Sequence, residues 1–332
     1  MGNRALFCGG LIGLLWIAGG MGAIRSEARR FEFHNLRMGT EFRIVVWGDD
    51  ELRVRRGVTE AFERADELEQ IFSDYRLDSE ISTVESLAAG RACVVSPLLF
   101  QLLDRSLHFS RLTDGAFDIT VGPAVRLWRR SRGEGRLPST AELERVRARI
   151  GYRKVLLNPR TRSLRLSATG MQLDLGGIAK GFAADEMLRV LELQGLNSCL
   201  IDAGGDLRLG SAPPSKEGWS VRLEDDLNGD RQLSLSDCAV ATSGDRLQFV
   251  EIDGVRYSHI VDPRSGLGLR HHGVVTVLAP DAVTADALAT GLSVMEVADG
   301  IRLVEGLQGV NVRISRGSDG GKTLARSSGF PP

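Results

Sequence analysis

The chain has 332 residues, 42% hydrophobic and 26% charged, with a formal net charge of −1. That length supports a sizeable core, in one large domain or two small ones. The charge balance gives no sign of a nucleic-acid-binding surface.

Residues 1–28 read as an export signal. Arg4 supplies the positive start, residues 5–24 are apolar, and Ser26-Glu27-Ala28 offers an A-x-A-like cleavage site. The run is near spanning length, so an uncleaved membrane anchor is the alternative. Cys8 comes too early to be a lipoprotein cysteine. Either way, residues 29–332 are expected to form one domain facing the periplasm or the outside.

Residues 31–47 alternate apolar and polar, as strands do. Residues 57–72 carry apolar positions at helical spacing, and 96–113 read as a second helix. Arg126–Arg149 is charged, with Gly133 and Gly135 marking a solvated loop and Ser139-Thr-Ala-Glu142 opening a short helix by a capping pattern. Residues 155–157 and 163–166 form a hairpin about Asn158. A short apolar strand, 171–175, then meets two glycines and a helix over 179–193. Strands are expected at 198–201, 219–223, 232–235, 239–241, 257–261 and 274–278, a helix at 282–295, and 310–314 pairing with 323–326. Strand runs and separated helices point to an α+β fold.

Outside the signal, Cys93, Cys199 and Cys238 show no zinc spacing. Buried free thiols suit Cys199 and Cys238, and a disulfide stays open. Gly317-Ser-Asp-Gly-Gly-Lys322 resembles a phosphate loop, but its first glycine is one residue too close and no helix follows, so it reads as a hairpin turn.

The most informative stretch is Asp174-Leu-Gly-Gly-Ile-Ala-Lys180. Two glycines let backbone approach a ligand closely. The following helix N-terminus offers free N–H groups to an anion, and Lys180 adds a positive charge. A diphosphate would suit it; a plain strand-to-helix turn fits equally well. Asp286 and Thr290, four apart, share one helix face. With a nearby carbonyl they would make a hard-oxygen magnesium site. On spacing alone, a surface carboxylate and a packed threonine explain the pair better.

Six further segments join the glycine turn: Met38-Gly-Thr40, Thr113-Asp-Gly-Ala-Phe-Asp-Ile-Thr-Val-Gly-Pro123, Ile201-Asp-Ala-Gly-Gly-Asp206, Ala241-Thr-Ser-Gly-Asp245, Ser258-His-Ile-Val-Asp-Pro-Arg-Ser-Gly266 and Ala285-Asp-Ala-Leu-Ala-Thr290. In this order they resemble the ApbE family of FAD:protein FMN transferases, from about Met38 to Arg313. The resemblance implies an ApbE-like α+β fold, with mixed or antiparallel sheets and flanking helices around a flavin-binding cleft. It implies magnesium-dependent transfer of FMN from FAD to a threonine or serine hydroxyl of an acceptor protein, releasing AMP. The Gly177 carbonyl, Asp286 and Thr290 would hold the metal. Met38, Tyr75, Ala116, Phe117, Asp118, Asp174, Lys180 and Ile260 would contact FAD. His259 would be the general base, with Lys180 also catalytic. Apart from the resemblance, His259 reads as a strand histidine bonded to Asp262, Tyr75 as an aromatic packing at a helix end, and Asp118 as an inner-strand carboxylate.

Two departures stand out. Ala289 replaces a second carboxylate that some members carry, and Glu85 replaces the usual asparagine. The acceptors implied are subunits of membrane electron-transfer complexes or exported flavoproteins. An FAD pyrophosphatase would use the same residues; a non-enzymatic exported FAD-binding protein is the third reading, and the intact His259, Lys180, Asp286 and Thr290 argue against it. The chain carries no Asp-Gly-x-Ser/Thr-Gly-Ala-Thr acceptor motif of its own.

Overall fold

A computed structural model describes residues 27–223, 231–244, 248–318 and 321–331. Most of the expected signal and Asp245 lie outside these. No helix among the described residues is long and apolar enough to cross a membrane.

The hairpin β1 (Arg29–Arg37)–β2 (Thr40–Gly48) leads into α1 (Glu51–Phe72). Next come α2 (Glu80–Leu87), the short β3 (Cys93–Val94), α3 (Pro97–Leu112), α4 (Gly122–Glu134) and α5 (Thr140–Arg147). β4 (Val155–Asn158) and β5 (Ser163–Leu166) form the expected hairpin, with β3 added to its edge. α6 (Ala179–Leu193) precedes β6 (Cys199–Ala203) and β7 (Asp206–Leu209). β8 (Trp219–Leu223) and β9 (Arg231–Leu235) pair as a ribbon. After β10 (Cys238–Gly244), β11 (Phe249–Ile252) and β12 (Val255–Ser258) make a second ribbon. β13 (His272–Ala279), α7 (Ala282–Val294), α8 (Val297–Glu305), β14 (Asn311–Ser318) and β15 (Gly321–Arg326) complete the order.

Among the described residues, eight strands form one sheet in the order β1-β2-β6-β7-β10-β13-β14-β15. Every neighbouring pair is antiparallel. Strand alternation sends Phe42, Ile44 and Val46 to one face, where α1, α6 and α7 cover them. Val45, Leu200, Val240 and Leu278 point to the other face, beneath Trp219, Val221 and Leu223 of the β8–β9 ribbon. A third cluster seats Trp128 of α4 against Tyr257 of β12.

Several expectations change. α1 starts at Glu51, six residues before the expected start, because Asp50 accepts the N–H groups of Leu52 and Arg53. The charged run expected as a loop is α4. Its inward face carries Ala124, Leu127, Trp128 and Ser131, so the arginines occupy only the outer side. Gly135, with φ 65°, stops it. Gly317 pairs with Lys322 in the β14–β15 hairpin, as the near-miss reading required. Cys93, Cys199 and Cys238 are free, and burial pushes the Cys199 thiol up to about 12.

Candidate active site

Residues 171–175 form no strand. Their backbone is held by other groups: Leu173 N–H donates to Glu85 Oε1, and Asp174 N–H to the Ile119 carbonyl at 2.7 Å. Asp174 Oδ1 then accepts Gly176 N–H at 2.9 Å, closing the glycine turn. α6 begins at Ala179 with no side-chain cap. The expected free N–H groups are partly used: Ala179 N–H goes to the Leu175 carbonyl and Gly181 N–H to Asp286 Oδ2 at 3.0 Å.

α6 and α7 are locked together at this point. Asp185 accepts the N–H groups of Ala282 and Val283, each at 3.0 Å, and an Arg208 guanidinium N–H at 2.8 Å. Gly181 allows the approach, since a Cβ there would lie 2.3 Å from the Ala282 carbonyl oxygen. The same docking brings Thr290 against Gly177, where a Cβ would lie 2.8 Å from Thr290 Oγ1. Asp286 is 5% exposed, and burial pushes its carboxyl up against the pull of Lys180.

Lys180 ion-pairs with Asp206, whose other oxygen accepts Thr242 N–H at 3.3 Å. Burial works against the ammonium, but Asp286 and Asp206 outweigh it and raise the lysine above its usual range. Met38 adopts φ 49°, its N–H donated to Glu69 Oε2 on α1 at 2.9 Å. The adjoining Thr40 packs on Gly204, at φ 70°, where a Cβ would meet Thr40 Oγ1 at 2.5 Å.

His259 follows the last residue of β12 and is not itself in a strand. Its Nδ1 lies 3.1 Å from the Gln248 carbonyl. A carbonyl only accepts, so Nδ1 carries the proton and Nε2 the lone pair of the neutral ring. Asp262, the sequence-level candidate for orienting the ring, instead accepts the backbone and guanidinium N–H groups of Arg264. Trp128 fixes the strand end by donating to the Ser258 carbonyl at 3.0 Å. Ile260 N–H donates to Ser258 Oγ.

The remaining candidates fall into two kinds. Ala116 and Phe117 are buried, and Asp118 spends its carboxylate on Thr120 and Tyr152, so these three would meet a ligand through backbone. Tyr75 is 72% exposed, with the Arg129 guanidinium 4.8 Å from its ring centroid, so it does not pack on the core.

This geometry has close counterparts. The ApbE family model matches residues 38–314. The chain belongs to the ApbE family. A FAD:protein FMN transferase of Treponema pallidum is 33% identical over 309 residues, covering 86% of this chain and 84% of that protein. One from Vibrio cholerae is 34% identical over 282 residues, covering 82% and 83%. The solved flavin transferase ApbE from Vibrio cholerae superposes with a TM-score of 0.81 at 31% identity, over 91% of this chain and 98% of that one. The fold is therefore that of ApbE.

The residues that could hold a hard divalent cation are Asp286, Thr290 and Gly177. Asp286 supplies a buried carboxylate and Thr290 a hydroxyl, and Gly177 packs against the Thr290 side chain. Sequence reasoning assigned no role to Asp206, Asp185, Gln248 or Trp128. Asp206 lay within a quoted motif, and its spacing across the β6–β7 turn could have flagged it. The Gln248 carbonyl leaves no side-chain signal.

Proposed function

We propose that the chain transfers FMN from FAD to a threonine or serine hydroxyl of an acceptor protein. The observation that carries this reading is the docking of α7 on α6, which gathers Lys180, Asp206, Asp286 and Thr290 around the Gly176–Gly177 turn. Asp174 and the two glycines would set the backbone against the FAD diphosphate, with Met38, Tyr75, Ala116, Phe117, Asp118 and Ile260 contacting the rest of the ligand. Lys180, held by Asp206, would neutralise phosphoryl charge.

Asp286, Thr290 and the Gly177 carbonyl would hold Mg²⁺. That ion would neutralise the diphosphate and polarise its phosphoryl oxygens. His259 Nε2 would take the proton from the acceptor hydroxyl. The hydroxyl oxygen then bonds to the FMN phosphorus as the bond to the bridging oxygen breaks. AMP leaves with that oxygen. Positioning and charge stabilisation carry most of such a reaction.

Export and an outward-facing location remain part of this proposal, supported by the pattern of residues 1–28. Retention of that segment would tether the enzyme to the inner membrane. Its acceptors would then be exported flavoproteins or outward-facing parts of electron-transfer complexes.

The test is incubation with FAD, Mg²⁺ and a peptide bearing Asp-Gly-x-Thr-Gly-Ala-Thr. A mass gain of one FMN unit with AMP release supports the transferase. FMN and AMP without peptide modification identify a pyrophosphatase. Bound, unchanged FAD identifies a carrier.

A further inference from the structure

The segment that enters the glycine turn belongs to no strand, so its backbone must find partners outside a sheet ladder. Glu85 supplies one from the last turn of α2. Ser79 caps that helix, and Ile81 and Val84 bury its inner side. Glu85 lies four residues after Ile81 and therefore turns toward the same interior. Its Oε1 accepts the Leu173 N–H.

The next links run directly into the turn. Asp174 N–H is held by the Ile119 carbonyl, and Asp174 Oδ1 holds Gly176 N–H. Gly122 presses on this segment, where a Cβ would lie 2.6 Å from the Gln172 carbonyl oxygen. Glu85 is thus the first of several hydrogen-bonded anchors, joined through the backbone, that end at Gly176.

We propose that Glu85 is a positioning residue for the FAD-binding turn and that its charge couples FAD affinity to pH. This rests on the transferase reading only in requiring that FAD docks on the Asp174–Lys180 turn.

The charged groups around Glu85 come from three elements. Asp74 lies in the loop after α1, Asp174 in the segment before the glycine turn and Arg126 on α4. Burial is the strongest influence and pushes Glu85 up to about 7; the two carboxylates add to it, while Leu173 N–H and Arg126 oppose it. Asp74 is also raised, first by burial and then by Asp174. A bound diphosphate adds further negative charge on the same turn. It therefore raises Glu85 again in the complex, and FAD must bind more weakly once pH exceeds the free enzyme's value.

The test is titration of the full chain with FAD in metal-free buffer, where the diphosphate keeps its charge, followed by flavin fluorescence across pH. The wild-type Kd should stay level in mild acid and rise about tenfold above neutrality, the factor for one unit of difference between free and bound states. Glu85→Gln keeps an oxygen for Leu173 N–H without the charge, so its profile should lose that rise. Glu85→Ala orphans that N–H and should weaken FAD binding at every pH.

Parallel profiles for wild type and Glu85→Gln would overturn the charge coupling. Wild-type affinity in Glu85→Ala would overturn the positioning role. A thermal melt identifies an unfolded Ala variant, in which case the Gln profile decides. Absence of FAD binding by the wild type would instead remove the transferase reading and this proposal with it.

Discussion

Asp286 on α7 accepts the backbone N–H of Gly181 on α6 at 3.0 Å. The bond ties a carboxylate with metal-binding chemistry to the helix that presents Lys180. It forms because Gly181 has no side chain: a Cβ there would lie 3.0 Å from Asp286 Cβ and closer still to the Ala282 carbonyl. Gly181→Ala must push the helices apart, so we expect a loss of about 1–3 kcal/mol in stability, typical of overpacking. Chemical denaturation measures the loss. FMN transfer should fall further than stability alone predicts, because Asp286 and Thr290 move with α7.

Asp286→Asn keeps an acceptor for Gly181 N–H but gives up the charge. FAD should still bind, while Mg²⁺-dependent turnover should disappear and Mg²⁺ affinity, read by calorimetry, should drop. Excess chelator should silence the wild type in the same assay. Turnover that survives chelation would remove the metal assignment.

His259→Ala should leave FAD affinity near that of the wild type and slow transfer by about 10²–10⁴-fold, the range for a lost general base. Single-turnover kinetics at saturating FAD separates the two effects. An unchanged rate would return His259 to a structural role.

Trp128→Phe removes the donor to the Ser258 carbonyl and leaves that buried acceptor unpaired. The expected cost is about 1–3 kcal/mol of stability. Because the bond holds the residue before His259, the transfer rate should fall more than FAD affinity does. Equal loss in both would mean that the bond serves the fold alone.

Glu85 also links stability to pH. Its carboxyl stands at about 7 in the folded chain, above the ordinary glutamate value, with burial the main cause. Between those values the folded state holds the proton that the unfolded state has released, so stability falls as pH rises through the window and levels above it. Glu85→Gln should remove this contribution, which amounts to at most about 3 kcal/mol for a shift of this size. Thermal melts of both proteins from mildly acidic to neutral pH test the sign. A steeper slope in Glu85→Gln would contradict it.

Much of the site's raw material was legible in the sequence. The Gly176–Gly177 turn, α6, the Ser139–Glu142 capping box and the helix bearing Asp286 and Thr290 all carry local signals, in glycine pairs, caps and periodicity. α4 was hidden because its exposed arginines dominate the composition while few apolar residues mark its buried side. Residues 171–175 looked like a strand because a strand and a buried non-strand segment share an apolar pattern; what differs is the partner, and Glu85 lies 88 positions from Leu173. The Lys180–Asp206 pair bridges a helix and a sheet turn, and the Gln248 carbonyl belongs to the backbone. Neither has a period to detect.

The β11–β12 ribbon is a sheet of its own, apart from the eight-stranded one, and His259 hangs from its end with Trp128 as its bracket. Lys180, Asp286 and Thr290 sit on α6 and α7 over the main sheet. On the proposed function, donor handling and acceptor activation would be carried on separate pieces of chain. Such a division of labour would let the ribbon and its flanking loops diverge toward a new acceptor, or toward water, while α6 and α7 stay as they are. Relatives with different recipients should then differ most around this hairpin, and swapping it between two of them is the direct way to exchange what they modify.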